Sequence, residues 1–451
     1  MNFHDIKDIH FVGIGGIGMS GIAEILQDAG LSVSGCDLRP SASTDLLMSR
    51  GIRVSIGHDP AHLHGVDAIV VTAAVKGANA EVDAARKQGI QVIRRAEMLG
   101  EIVNRKRAIG ISGTHGKTTT SAMIATILEE AGLDPTVIVG GMMRNTGTNA
   151  KTGKGDFLVV EADEYDRTFH ELHPEIAVVT NIEADHLEYY GTFDAIVEAF
   201  RTFVEGIRPS GAIVACVDDP AVKKLVDGIS SQRVIRYGLA DRADLTAINI
   251  EFTDRGSTFE VPGIGRFALF VPGEHNIRNA LAAIAVAREL SIDSAVIARG
   301  LARFLGVTRR FQILGRFRGA IIVDDYAHHP TEIRATLNAA RHGYPRRRIV
   351  ALFQPHLYSR TRDFAAEFAE SLHVADIALV APIYAAREEP IHGITARLIT
   401  EAAEGIEFID RPNAAIVGEM KRRLQANDLF ITMGAGDVHE IGEALVEAGE
   451  A

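Results

Sequence analysis

Short apolar runs alternate with amphipathic stretches along most of the chain. Residues 9–14 read as a buried strand that runs into a glycine-rich turn. Residues 17–29 then place Ile22, Ile25, Leu26 and Ala29 at helical spacing, and Gly30 follows as a stop. Further strands are predicted at 31–36, which leads into Asp37, at 68–72 and at 91–93. Strands that alternate with helices imply βαβ units and a parallel sheet. The basic cluster Asn104-Arg105-Lys106-Arg107 marks a solvated boundary, after which a strand at 108–112 enters a second glycine-rich turn. Strands near 136–140, 157–161, 176–181 and 212–217 follow, with helices between them. Residues 245–273 alternate polar and apolar positions among glycines, which predicts antiparallel hairpins. Helices are predicted at about 276–290 and 293–304. A third restart follows Thr308-Arg309-Arg310-Phe311, with strands at 320–324, 348–353, 376–381 and 428–432.

Length agrees with three restarts. At roughly 150 residues per domain, 451 residues suggest about three domains. The expected boundaries are 1–106, 107–310 and 311–451. The charge sum of 47 basic and 59 acidic residues is −12, a poor balance for binding nucleic-acid backbones. Hydrophobic residues at 47% and charged residues at 24% exclude disorder as the main state. Cys36 and Cys216 lie far apart and make no disulfide or metal pattern, which suits a reducing cytoplasm. No apolar run reaches the ~20 residues that span a bilayer, and Met1-Asn2-Phe3-His4-Asp5 lacks a leader's layout. His58, His62 and His64 suggest a zinc site, but no cysteine is expected near them and Pro60 interrupts any helix, which argues against one.

Two glycine-rich turns carry the chemistry. Gly13-x-Gly15-x-x-Gly18, with Gly16 inside it, has dinucleotide-fingerprint spacing between a strand and a helix. Such glycines let backbone N–H groups approach a pyrophosphate, and Asp37 stands where an acidic residue meets a ribose. The motif admits NAD, another diphosphate-bearing nucleotide, or a tight turn without ligand. The second turn, Gly113-Thr114-His115-Gly116-Lys117-Thr118-Thr119, is more specific. Its amides can cradle triphosphate oxygens, Lys117 can neutralise the β and γ phosphates, and the Thr118 hydroxyl can bind Mg²⁺. The loop is shorter than the common Walker spacing, because position 111 is Ile111 rather than glycine. Acidic segments follow two strands of the same unit, Glu161–Asp166 and Asn181–His186, where ligands of open α/β sheets bind. Carboxylates and an imidazole there can hold Mg²⁺ at a γ-phosphate. Two more clusters, Asp324–Pro330 and Gln354–Arg362, follow strands of the last unit and read as a substrate or nucleotide clamp.

Taken in order, these motifs resemble the Mur ligase family, the ATP-dependent amino-acid-adding enzymes of peptidoglycan synthesis. The resemblance covers essentially the whole chain. It rests on Val12–Gly21, Gly113–Thr119, Asp325–Glu332 and Gly434–Asp437, and within the family it points to the alanine-adding branch. It implies an α/β fold of three domains: a Rossmann-like N-terminal domain, a central P-loop ATPase-type domain with a small antiparallel sheet, and a Rossmann-like C-terminal domain. The implied substrates are UDP-N-acetylmuramate, L-alanine and ATP, with Mg²⁺, and no nucleic acid or membrane. A monomer or weak homodimer is expected.

By resemblance, Gly13, Gly15, Gly16, Gly18, Asp37 and His58 hold the UDP sugar, so the first turn grips a UDP diphosphate rather than NAD. Gly113 to Thr119, Asn276, Asn279 and Arg310 hold ATP, and Thr118, Glu161 and His186 hold metal. Tyr326, His328 and Arg360 surround the amino acid and acyl phosphate. Lys117, Arg360, and His328 or Asp325 as base are the expected catalytic groups. Two departures stand out. The lysine that bridges metals in several relatives is missing from this chain: the stretch has Arg201 and no lysine before Lys223, as in the alanine-adding branch. Leu357 replaces the arginine usual between His356 and Tyr358. The competing readings are a tripeptide-recycling ligase of the same family and an NAD-dependent Rossmann dehydrogenase, which leaves the second turn unexplained.

Overall fold

A computed structural model describes residues 6–450 except 73, 76, 241, 242, 255 and 387. The N-terminal residues on which the leader reading rests lie outside the described residues. By internal contacts the chain divides into two compact units. The first runs to Ile248 and includes Val261–Gly265 and Arg278–Phe304; the second comprises Asn249–Glu260, Arg266–Ile277 and the chain from Leu305.

The first unit contains two sheets. β1 (Asp8–Val12), β2 (Ser32–Asp37), β3 (Arg53–Ile56), β4 (Ala68–Val71) and β5 (Gln91–Arg94) form a parallel sheet in the order β3-β2-β1-β4-β5. β1 ends at Val12, short of the predicted residue 14, because Gly13 takes φ +84° and turns the chain toward the helix Ile17–Asp28. This turn sits where the strand order reverses, between β1 and β4, the usual ligand position in such sheets.

The second sheet comprises β6 (Arg107–Ser112), β7 (Thr136–Met143), β8 (Thr148–Lys151), β9 (Phe157–Glu161), β10 (Ile176–Val179), β11 (Ala212–Cys216), β12 (Arg233–Gly238) and β13 (Leu245–Thr246). Its order is β13-β12-β11-β10-β6-β9-β7-β8, parallel except that β8 runs antiparallel to β7. β6 therefore lies between β9 and β10, and the ends of both flank the turn that follows it. One continuous core, including Phe11, Ile22, Leu99, Leu158, Phe200 and Phe203, underlies both sheets. Asn149 Nδ2 donates to Ile17 O at 2.9 Å, and Arg95 Nη2 to Thr168 Oγ1 at 3.0 Å, which ties the first sheet's helices to the chain around the second sheet.

β14 (Ile248–Thr253), β15 (Gly256–Val261) and β16 (Gly265–Leu269) make a small three-stranded sheet where hairpins were predicted. The second unit is built on β17 (Gln312–Phe317), β18 (Ala320–Asp325), β19 (Arg348–Phe353), β20 (Ile377–Val380), β21 (Ile406–Phe408) and β22 (Asp428–Met433), ordered β17-β18-β22-β19-β20-β21. Only β17 is antiparallel to its neighbour. Along β19, Ile349, Ala351 and Phe353 enter one core, and Val350 and Leu352 the other. A strand apolar at every position is the signature of a sheet covered on both faces. Burying each such large side chain contributes about 1.5–3 kcal/mol. No helix of the described residues is long and apolar enough to cross a membrane.

Candidate active site

β6 leads into Gly113-Thr114-His115-Gly116, and the helix Lys117–Glu130 starts immediately afterwards. Gly113 has φ +140°, and a Cβ there would lie 1.9 Å from Thr180 Oγ1. Gly116 has φ +83°, and a Cβ would lie 2.7 Å from Asn279 Oδ1, so Asn279 stands against the turn. Thr180 and Asn181, just past β10, hold the loop's shape. Thr180 Oγ1 donates to His115 O at 2.6 Å, Asn181 Nδ2 donates to His115 O at 3.0 Å, and Asn181 Oδ1 accepts from His115 N at 2.8 Å. Glu183 N donates to Thr114 Oγ1 at 2.9 Å. The helix that follows has no side-chain cap and no acidic residue in its first turn. Its N-terminal amides and dipole therefore suit an anion.

The acidic groups come from the end of β9 and the segment just after it. Lys117 Nζ lies 2.7 and 3.0 Å from the two Glu164 carboxylate oxygens and donates to Gly113 O at 2.5 Å. Burial works against the Lys117 charge, but Glu164, Asp163 and Glu161 outweigh it and keep the ammonium protonated, above the ordinary lysine value. Glu164 is 4% exposed, and Tyr190 Oη donates to its backbone carbonyl at 2.5 Å. The acidic segment was legible in sequence; that Glu164 in particular is the counter-ion was not. Thr118 Oγ1 donates to Glu161 Oε2 at 2.8 Å, and the same oxygen accepts from Gly140 N at 2.7 Å. A hydroxyl and a carboxylate side by side are hard oxygen donors and fit Mg²⁺. His186 has φ +56° on the neighbouring segment, beside Asp185 and edge-on to the Tyr165 ring at 5.0 Å.

The first glycine turn is built differently. Gly15 N donates to Asp37 Oδ2 at 2.9 Å, and a Cβ on Gly18 would lie 2.8 Å from Arg95 Nη1. Its helix likewise starts without a side-chain cap. Asp37 thus reaches the turn itself through an amide. His58 does not face it through its ring Nδ1, which lies 2.9 Å from Glu81 Oε2 and 3.1 Å from Cys36 Sγ. This corrects the expectation that no cysteine stands near the histidines. Cys36 is the next-to-last residue of β2, β3 runs parallel beside it, and Gly57 N bonds back to Asp37 O at 2.8 Å, so the turn carrying His58 folds over the cysteine.

In the second unit, Asp325 is buried at the end of β18, and its two oxygens accept from Phe311 N and Ala327 N, each at 2.8 Å. Burial lifts its carboxyl to about 6, with Arg310 opposing that rise. The guanidinium groups of Arg309 and Arg310 lie 5.1 and 5.4 Å from the Tyr326 ring centroid. Arg309, unassigned in the sequence reading, also bonds Asp324 Oδ2 at 2.9 Å and Gly434 O at 2.7 Å. Arg310 Nη1 lies 3.5 Å from Glu332. His328 Nδ1 is 3.0 Å from Tyr326 O, which can only accept. The proton is therefore on Nδ1, and Nε2 carries the lone pair when the ring is neutral. Arg360 lies on the short helix Tyr358–Asp363, entered through Leu357 at φ +71°. Asn276 is buried and donates to Pro272 O at 2.7 Å.

A phosphate-accepting turn with its own lysine and metal-type oxygen donors, on one of several parallel α/β sheets, defines a nucleoside-triphosphate-using protein. Sequence models place it further: the Mur ligase middle domain matches residues 111–287, the Mur ligase family catalytic domain 8–107, and the Mur ligase glutamate ligase domain 309–436. A UDP-N-acetylmuramate–L-alanine ligase from Syntrophotalea carbinolica is 47% identical over 450 residues, covering 98% of each chain. The chain belongs to the Mur ligase family. The solved UDP-N-acetylmuramate–alanine ligase from Thermotoga maritima superposes with a TM-score of 0.82 at 29% identity, covering 98% of this chain and 99% of that one. A murein peptide ligase from Psychrobacter arcticus superposes with a TM-score of 0.70 at 26% identity, covering 98% of each chain.

Proposed function

We propose that the chain is an ATP-dependent ligase that joins L-alanine to the lactyl carboxylate of UDP-N-acetylmuramate. ADP and phosphate are released, in the synthesis of peptidoglycan precursors. The observation that carries this reading is the end-to-end match, at 47% identity, to a relative of that name. The division of labour proposed is 1–106 for the UDP sugar, 107–310 for ATP and 311–451 for the amino acid.

The lactyl carboxylate oxygen attacks the γ-phosphorus of ATP; the β–γ bridging bond breaks and ADP leaves. The amine of L-alanine then attacks the acyl carbon, phosphate departs, and the nitrogen loses a proton. The obstacle in the first step is repulsion between a carboxylate and a polyanionic triphosphate. Lys117 offsets it by exchanging Glu164 for phosphate oxygens, while the glycine-turn amides hold the phosphates in line. Thr118 and Glu161, with His186, would hold Mg²⁺, which would supply further neutralisation of that charge. Gly13, Gly15, Gly16, Gly18 and Asp37 orient the UDP end, and Asn276, Asn279 and Arg310 the nucleotide. Tyr326 and Arg360 position the amino acid.

Between the two candidate bases, the roles divide. Asp325 spends both oxygens on backbone amides and orders the loop as a positioning residue. His328, with Nε2 free of its proton, takes the proton from the amine.

The specific alternative is the tripeptide-adding ligase, favoured by the likeness to the murein peptide ligase. Phosphate release from ATP separates the readings. Release is expected only with UDP-N-acetylmuramate and L-alanine together, with glycine and L-serine poorer by about 10–200-fold. Preference for the tripeptide selects the alternative, and release independent of the sugar nucleotide overturns both.

A further inference from the structure

The cluster beneath the first glycine turn is not used by the ligase reading. Four elements contribute to it: His10 from β1, Cys36 from β2, His62 from the turn Pro60–Leu63, and Glu81 from the helix Ala80–Gln88. The donor atoms of these four residues lie within 4.8 Å of one another. Glu81, fully buried, is the hub. Its Oε1 lies 2.6 Å from His62 Nδ1 and 3.7 Å from His10 Nε2, and its Oε2 accepts from Cys36 Sγ at 2.9 Å. A core position would not ordinarily hold two imidazoles, a thiol and a carboxylate, since each polar group costs free energy to bury.

We propose that His10, Cys36, His62 and Glu81 bind a zinc-class divalent ion. The donor set of two nitrogens, one sulfur and one oxygen is the borderline-soft, four-membered set that zinc takes in tetrahedral sites. The charge balances in a buried place: a thiolate and a carboxylate together neutralise a dication. A second observation points the same way. His10 is 2% exposed, and its Nε2 is a buried atom with no hydrogen-bond partner, aimed into the cluster. The other nitrogen of His10 lies 2.9 Å from Ser34 Oγ. That hydroxyl can accept Nδ1–H, which leaves Nε2 as a ligand, the usual outer-shell arrangement around a metal-bound histidine. His58 Nδ1 and Asp59 N take the same outer position around Glu81, at 2.9 and 3.3 Å.

Without the ion, protons do its work. The Cys36 thiol and the His62 N–H both point at Glu81 at hydrogen-bond distance. Loading replaces those contacts with metal bonds: the thiol proton goes to solvent, the His62 proton shifts to its other nitrogen, and the donors move apart to tetrahedral spacing. A cleft of about 290 Å³, lined by His10, Ser34, Arg53, Ser55, His62 and His64, gives the ion a route in. The cluster buttresses the β2 end that carries Asp37, so occupancy stiffens the turn region. The site is independent of the ligase reading.

Cobalt(II) is the probe, added to the chelator-treated full-length protein in excess Mg²⁺, which occupies oxygen sites. The expected result is one equivalent bound, with tetrahedral d–d bands and a thiolate-to-cobalt charge-transfer band. C36S removes the charge-transfer band, while C216S, at the only other cysteine, keeps it. H10Q and H62Q each weaken cobalt binding by about tenfold or more. Thermal melting of the wild-type protein rises with cobalt, and C36S shows no such rise. A wild-type spectrum lacking the charge-transfer band overturns the site. So does a band that survives C36S or vanishes in C216S, or a cobalt affinity unchanged in folded H10Q.

Discussion

The two glycine-rich turns share one grammar and differ in what stands beside it. Each follows a buried parallel strand, opens an uncapped helix and uses a left-handed glycine where the strand ends, Gly13 and Gly113. At the first turn an amide is already taken by a carboxylate, Gly15 N to Asp37. At the second, a part-buried ammonium waits on a carboxylate, Lys117 on Glu164. The first is equipped to recognise a ligand with hydroxyl groups as well as phosphates. The second can exchange one anion for another and so suits a group whose charge changes during reaction. Backbone geometry makes an anion site; the neighbouring strand ends decide what it does with the anion.

The comparison breaks most visibly at Lys117. Lys117→Ala should cut ATP-dependent phosphate release by about 10³-fold or more, while titration calorimetry finds UDP-sugar binding largely unchanged. Equal losses of both would erase the distinction between the turns. The glycines offer a smaller, structural contrast. Gly113→Ala should cost about 2–4 kcal/mol in denaturant unfolding, because Thr180 Oγ1 in its way is pinned by hydrogen bonds. Gly13→Ala meets the Thr72 side chain, its methyl at 2.5 Å, and should cost about 1–2 kcal/mol.

Glu164→Gln removes the anion that competes with phosphate. It should tighten ADP binding by about 3–10-fold while lowering the melting temperature without nucleotide, since an uncompensated buried charge is destabilising. The smallest effect is expected at Asp37→Asn, about two- to threefold weaker UDP-sugar binding with ATP binding unchanged.

Strands with both faces buried were legible: Ala68–Val71, Phe157–Glu161, Ile176–Val179 and Arg348–Phe353 are nearly continuous apolar runs. The strands that sequence missed sit at or next to sheet edges. β3 is Arg-Val-Ser-Ile, β8 is Thr-Asn-Ala-Lys, and β12, β17 and β21 are half-exposed, so edge positions carry polar residues and no clean period. The same logic governs the site. Residues within a turn and its helix were readable from spacing, as Lys117 and Thr118 show. Partners from other strands were not: Glu164 is 47 residues from Lys117, and Glu81 is 45 from Cys36. Only strand order brings them together, and a parallel sheet hides that order behind its crossovers. Arg309 shows the same limit, since its partner turn at Gly434 lies 125 residues away.

The most direct test of the ligase chemistry follows one oxygen atom. With ¹⁸O in the lactyl carboxylate of UDP-N-acetylmuramate, turnover with ATP and L-alanine should place one labelled oxygen in each inorganic phosphate released. Attack by that carboxylate on the γ-phosphorus, followed by loss of phosphate to the amine, requires the transfer. Phosphate released without label would contradict the acyl-phosphate route, and with it the role of the second turn in bringing carboxylate and triphosphate together.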